Sequence, residues 1–461
     1  MVILIQFLPP TLDNGKDRIM VSPMAGDWMK EGEMKNKFTM ILPESIRRLL
    51  GNKNLVAENI TNSQHEFMRN LLLKAVGPSA VFDVRPFVES LTQDCMKKLD
   101  RYSETGEEFQ LIPIVEDLTL RVIIGTYLGE VTPDELEAIR PAFNDIWAAL
   151  VSIPRALPWP LSKTPLAKLQ PFNFGHGMKM KAKVSKVVSS IVDRRRRQLA
   201  SADQWESKYA VDKVLEKEQE QRANGGPAEG ELEIDEEYIF INVMVALLAG
   251  QSTTSAILTR LVHFLSAPEL KDASEKILEE ILTNDLKQRS EKKGGLFENF
   301  PLVNSLTLEA SRLFPSAPGS FRGTREDLIF NGYKIPKGAS MLFSFTPSSM
   351  SEKYYPEPER VCPFRFLNSN PSESSTASRT GATRSPEEPG QPKPNMYGFG
   401  RRLCPGRELS KLEIIIFLKS LFGTFDVHLA EGQDLRGRFL DNAARSGVVV
   451  SLSKKTVNAS G

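Results

Sequence analysis

The stretch "YIFINVMVALLAG", residues 238–250, constrains the fold more than any other. It would be apolar on every face of a helix, and it runs straight into "QSTTS" (251–255). It falls short of the roughly 20 apolar residues that a spanning helix needs. The expectation is therefore a helix enclosed by protein. The sequence supplies a shell. From Ser63 to about Asp285 the apolar residues recur mostly at helical spacing, as in "FMRNLLLKAV", "FVESLTQDCMKKL" and "VEDLTLRVIIGTYLG". "LVNSLTLEASRLF" adds a later helix. Strand-like pieces occur at "DRIMV", closed by Ser22-Pro23, at "DLIFNGYKIPKGASMLFSF" and at "SGVVVSL". The fold class read from this is mainly α (α+β), with a small β part contributed from both ends.

Three segments interrupt the pattern. Residues 153–165 are proline-rich, 216–237 read as a polar, solvated linker, and 368–395 are low-complexity and expected to be a disordered insertion. Met1–Leu8 is apolar but stops at Pro9-Pro10 and lacks a basic n-region, so neither an anchor nor a signal peptide is read there. Lys and Arg total 59 against 58 Asp and Glu, which leaves no net field to favour nucleic acid. Cys95, Cys362 and Cys404 are odd in number and far apart. That excludes a disulfide framework and a C-x-x-C zinc site, and suits a reducing compartment.

Cys404 stands out. In "YGFGRRLCPGREL" (397–409) it is flanked by Gly398, Gly400 and Gly406, which permit close backbone approach and positive φ, and by Arg401, Arg402 and Arg407. A thiol at a helix N-terminus among cations is expected to have a depressed pKa. A thiolate serves as nucleophile or metal ligand; a buried structural cysteine is the plain alternative. A nucleophile would need a histidine base, and His65, His176, His263 and His428 show no partnering motif.

This loop resembles the haem-binding loop of the cytochromes P-450, the haem-thiolate monooxygenases, whose pattern is Phe-x-x-Gly-x-Arg-x-Cys-x-Gly. Gly400, Arg402, Cys404 and Gly406 match, and Tyr397 stands in the place of Phe. The resemblance implies haem b (iron protoporphyrin IX) as cofactor, Cys404 as the iron ligand and Arg402 on a propionate. It runs over nearly the whole chain and implies one cytochrome P-450 domain over residues 1–461.

Three further motifs follow the family's order. Glu309-x-x-Arg312, with Arg365 of "CPFRF", resembles the buried Glu-Arg-Arg cluster behind the haem, a structural role. Alone, such an i,i+3 pair means little. "AGQSTT" resembles the oxygen-binding groove: Ala249, Gly250, Thr253 and Thr254 match, whereas Ser252 replaces the acid that relays protons. A buried helix with hydroxyls beside a glycine is also expected to open locally. His65 and Arg69 in "HEFMR", and Arg322 in "SFRGTR" (with Arg325 ranked below it), resemble the family's propionate ligands.

By the same resemblance the cavity is lined by Val245, Leu248, Ala249 and Thr253, by "SAPG" (316–319) and by "ARSG" (444–447). Trp159, Phe172 and Phe174 fall in the roof, and "DRRRRQ" (193–198) reads as a solvated helix end. The implied function is a monooxygenase that inserts one atom of O2 into a lipophilic small molecule: a sterol, terpenoid, carotenoid or retinoid, or fatty acid. Electrons would come from NADPH-cytochrome P-450 reductase or another donor. The implied location is the endoplasmic reticulum membrane, with peripheral contact and no anchor in this chain. The alternative is a haem-thiolate isomerase or dehydratase acting on a peroxide. A haem sensor without turnover is disfavoured by the groove.

Overall fold

The computed structural model describes residues 18–21, 35–41, 49–51, 53–55, 62–151, 172–201, 207–286, 295–317, 319–330, 333–344, 349–352, 354–367, 394, 396–398, 400–437 and 443–455. The first 17 residues, Trp159, the side chains of Phe172 and Phe174, and nearly all of 368–395 lie outside that set.

The apolar run at 238–250 sits in the first half of helix α7 (Glu236–Ser266). Asp235 caps it, accepting from the Tyr238 N–H at 2.7 Å. Around it lie α3 (Ile112–Leu128), α5 (Phe172–Ser201), α8 (Lys271–Thr283), α9 (Pro301–Leu313) and α10 (Arg407–Thr424). By length and composition α7 could cross a membrane, but 72% of its most apolar stretch is buried inside the protein. It is a core helix. Further out are α1 (Asn62–Val76), α2 (Val81–Thr105), α4 (Pro133–Val151) and α6 (Ala210–Ala223).

The β part is small and joins distant segments. Strands β1 (Arg18–Val21), β2 (Phe38–Met40), β4 (Gly319–Thr324) and β7 (Ser340–Ser344) form one sheet in the order β1-β7-β4-β2. β1 runs parallel to β7, and the other pairs are antiparallel. A second sheet orders β3 (Phe109–Gln110), β9 (Val449–Lys454) and β8 (Phe425–Leu429), and β5 (Leu328–Phe330) pairs with β6 (Tyr333–Ile335). The mainly α reading with strands from both ends holds.

Three readings change. Helix α7 is continuous through Gly250 and does not open: the expected back-bonds form, Ser252 to the Leu248 carbonyl and Thr253 to that of Ala249, without breaking the ladder. The stretch 216–237 is not a solvated linker. Its first part belongs to α6, and Gln221 pins the rest, donating to the Leu232 carbonyl at 2.9 Å and accepting from the Ile234 N–H at 3.0 Å. "DRRRRQ" is not a solvated end either. Arg194 pairs with Glu135, Arg195 with the fully buried Asp212, and Arg196 with Glu218, so α5 is tied to α4 and α6.

Candidate functional site

Helix α7 is buried nearly all round, with one gap. Ala249 is exposed and Val245, Ala246, Gly250 and Thr253 are half-buried, while Leu247, Leu248, Gln251, Ser252 and Thr254 are buried. Val245, Ala249 and Thr253 are spaced at i, i+4 and i+8, so they share one face. An open stripe in the middle of a core helix marks the wall of a cavity. Leu248, expected on that wall, is turned into the core. Gly250 has a packing reason: a Cβ there would come within 2.8 Å of Ile123 on α3. Behind it, the Thr119 hydroxyl donates to the Gln251 carbonyl at 3.1 Å.

Thr253 donates its hydroxyl hydrogen to the Ala249 carbonyl at 2.6 Å. Its lone pairs remain as acceptors on the open side. Ser252 is buried and donates to the Leu248 carbonyl at 3.2 Å. Adjacent hydroxyls therefore differ, one at the opening and one in the core.

The Cys404 loop enters α10 as its sequence suggests. Gly398 and Gly400 take left-handed conformations (φ 73° and 61°), which a side chain would resist. The Cys404 N–H donates to the Tyr397 carbonyl at 2.8 Å, closing the turn. The Cys404 side chain is exposed, yet protein surrounds the sulfur closely enough for burial to govern its titration. Both hold for a group on the floor of a cavity. The depressed thiol pKa expected from sequence is reversed: burial pushes it up, against the lowering effects of the Gly406 N–H, Arg69 and Arg407. Desolvating a thiolate costs more here than the helix terminus and cations return.

Near this loop the predicted arginines converge. His65 is buried, and its pKa is lowered to about 3, first by burial and then by Arg402, Arg69, Arg401 and Arg322. Four cations reach one neutral imidazole. Arg69 donates to the Leu403 carbonyl, Arg402 to that of Leu55 at 2.6 Å, and Arg322 to Ser320 and Phe321. Arg401, read from sequence only as local positive charge beside Cys404, also acts on His65. Arg325, ranked lower, donates to the Phe38 carbonyl.

The Glu309 cluster assembles as its motif suggests. Arg312 donates to both Glu309 oxygens at 2.8 Å, and Arg365 to both at 3.1 Å. Glu309 and Arg312 are fully buried. Sequence reasoning missed the backbone share: the Cys362 N–H donates to Glu309 at 2.9 Å, and Arg312 also binds the carbonyls of Ser349 and Pro358. Tyr397, in the place of the motif's Phe, buries a hydroxyl near Ser410 with no hydrogen-bond partner of good geometry among the described residues. "ARSG" is misplaced as cavity lining. Ala444 is buried in the core, and a Cβ on Gly447 would meet Ile112 at 3.0 Å. Ala444 bridges to Gly437 in the connection between β8 and β9.

Among the described residues no three His, Cys, Asp or Glu side chains gather to hold a metal. What gathers is one sulfur on a cavity floor and a set of guanidiniums beside it. A bare ion does not fit that donor set. A flat group carrying its own metal nitrogens and anionic edges does, and haem is such a group.

The family model described as Cytochrome P450 matches residues 29–454. Cytochrome P450 716A1 of Arabidopsis thaliana is 26% identical over 373 residues, 79% of this chain and 67% of that protein. Beta-amyrin 11-oxidase of Glycyrrhiza uralensis is 25% identical, covering 83% of this chain and 69% of its own length. Taxane 10-beta-hydroxylase of Taxus cuspidata is 23% identical, with 84% and 69% covered. Among solved structures, the retinoic acid-bound cyanobacterial CYP120A1 superposes with a TM-score of 0.74 at 22% identity, covering 96% of this chain and 90% of that one. At that identity the likeness speaks for the fold.

Proposed function

Starting from this chain's membership of the cytochrome P450 family, which makes it a haem-dependent monooxygenase of a lipophilic small molecule, we propose the following division of labour among its residues. Cys404 would supply the sulfur that ligates the haem iron. Arg69, Arg322 and Arg402, with His65, hold the anionic edge of the cofactor, and Arg401 adds to their field. Glu309, Arg312 and Arg365 keep the segments behind the loop in register. When bound, haem supplies the iron at which O2 is activated, and a thiolate ligand favours O–O cleavage.

The observation that carries this reading is the position of Arg69. It donates to the Leu403 carbonyl, its charge reaches the Cys404 sulfur, and it also acts on His65. One side chain thus joins the thiol to the cationic cluster. That is what a ligand with a metal at its centre and carboxylates at its rim requires.

On the open side, Thr253 presents an acceptor while it donates back to its own helix. It orients an O–H brought to the cavity. Gly250 and Thr254 shape the groove from behind. Ser252 is turned into the core and brings no acidic proton, so we assign proton supply to solvent entering along the Val245–Ala249–Thr253 stripe. The small apolar wall suits a rigid, bulky substrate. Relatives named as oxidases of β-amyrin and of taxanes support a polycyclic terpenoid. We assign electron supply to a separate NADPH-dependent reductase, and location to the endoplasmic reticulum membrane surface.

The buried Ser252 keeps a second reading in play, an isomerase or dehydratase of a hydroperoxide. Turnover of a hydroperoxide without NADPH and reductase would favour it. For the main reading, the reduced protein with carbon monoxide is expected to show the red-shifted Soret band of thiolate ligation, and Cys404→Ser to abolish it. A wild type without that band sinks the assignment.

A further inference from the structure

Arg260 heads the fully buried side chains by volume, with 1% of its surface exposed. A guanidinium is among the groups least often placed there, so its surroundings need a reason. It projects from α7 seven residues, or two turns, beyond Thr253. Its Nη1 donates to the carbonyl of Leu435, and its guanidinium carbon lies 3.7 Å from the centre of the Phe314 ring.

These two partners belong to different walls. Phe314 ends α9, directly after the Glu309–Arg312 pair, and opens the segment that leads past the exposed Ala317 to β4 and Arg322. Leu435 lies in the connection between β8 and β9, at the base of a hairpin closed by the Gly437–Ala444 bridge. The same hairpin touches α7 again: Ala443 packs with Ala256 and Ile112 in a small buried cluster. The hairpin base therefore meets α7 at Ala256 and at Arg260, one turn apart, just past Thr253 and Thr254.

We propose that Arg260 is a positioning residue for substrate, one buried cation that sets the spacing of the groove helix, the segment after α9 and the base of the β8–β9 hairpin, and so the shape of the cavity beyond Thr253. Arginine suits the task because its flat head uses two surfaces at once. The edge donates to a carbonyl while the face lies on a ring. Lysine keeps the charge and one donor but cannot stack in the same way. Methionine fills the space and leaves the Leu435 carbonyl without this donor. None of these contacts involves Cys404, His65 or the arginines around it, so cofactor binding and cavity shape separate. The inference rests on the haem-site reading above.

The test uses full-length holoprotein and two azole probes, imidazole, which needs only the iron, and clotrimazole, whose aryl groups press on the walls. Arg260→Met is expected to keep the carbon monoxide spectrum and to bind imidazole within about twofold of wild type, as independent sites do. Clotrimazole should bind about tenfold more weakly, the scale of a methylene-sized misfit in an apolar pocket. Arg260→Lys should recover part of that loss. Equal weakening of both probes, or no change in clotrimazole, overturns the proposal. If Arg260→Met yields no holoprotein, Phe314→Leu removes the stacking face alone, and the same split between probes is required. A wild type that fails to bind imidazole would sink the haem reading instead, so the two failures are distinguishable.

Discussion

Around Glu309, two arginines share one carboxylate. Arg312 and Arg365 each reach both of its oxygens, and the remaining guanidinium hydrogens go to backbone carbonyls. Around His65, four arginines act on one imidazole, and the sum is positive enough, with burial, to hold it neutral far below its usual range. The first constellation carries its own anion. The second leaves a positive field at its centre. Cations gathered around a neutral group repel one another, and an anion bound among them would offset that repulsion. On the proposed reading, the contrast separates arginines that hold the protein together from arginines that would hold a ligand.

The largest expected effect lies at the closed cluster. Glu309→Ala leaves Arg312 and Arg365 facing each other in the core, at a cost of roughly 3–5 kcal/mol. Denaturant unfolding and holoprotein yield should both fall sharply. A variant as stable as wild type would mean that the backbone carbonyls suffice and the contrast is empty. At the open cluster the outcome should invert. Arg402→Leu removes a like charge and, in the opposite direction, the hydrogen bond to the Leu55 carbonyl, so the unfolding midpoint of the cofactor-free protein should move little. Haem transfer to a high-affinity acceptor protein should instead quicken about tenfold or more, the worth of one charge-assisted hydrogen bond. Equal damage to fold and haem retention would put Arg402 with the structural arginines.

Much of this was legible in the chain, for identifiable reasons. Cys404, Glu309 and Arg312 lie within short motifs whose geometry is local: a glycine turn entering a helix, and an i,i+3 pair. The apolar run at 238–250 predicted a core helix because so apolar a helix needs cover on all sides. What failed was long-range. The sequence neighbours of the Cys404 thiol favour the thiolate, while the burial that opposes it exists only in the folded protein. "DRRRRQ" looked solvated because its carboxylate partners, Glu135, Asp212 and Glu218, lie 17 to 59 residues away. Arg260 carried no signal at all: its partners Phe314 and Leu435 come together only once α9 and the hairpin dock on α7.

The smallest expected effect is also the sharpest test of the contrast. Two histidines are held neutral by burial: His65, lowered to about 3 with four arginines adding to the effect, and His263, lowered to about 4 with Arg260 adding. In each case the folded pKa lies below the unfolded one. The unfolded chain therefore takes up the extra proton, and stability falls as pH drops through 6.5 toward the folded value. At pH 5.5 each histidine should cost the cofactor-free protein about 1 kcal/mol relative to pH 7.5. His65→Gln and His263→Gln should each remove one such share of the acid sensitivity. Loading with haem should then treat them differently. On the proposed reading, carboxylates beside Arg69, Arg322 and Arg402 offset part of the field on His65, so its imidazole should titrate at a higher pH in the loaded protein while burial still holds it below the usual range. His263 is acted on by Arg260, outside the cluster around His65, so its titration should stay where it is. Histidine proton NMR of the cofactor-free protein and of the diamagnetic ferrous carbon monoxide form reads this directly. An unmoved His65 titration in the loaded protein would show that the arginines around it do not meet an anionic ligand.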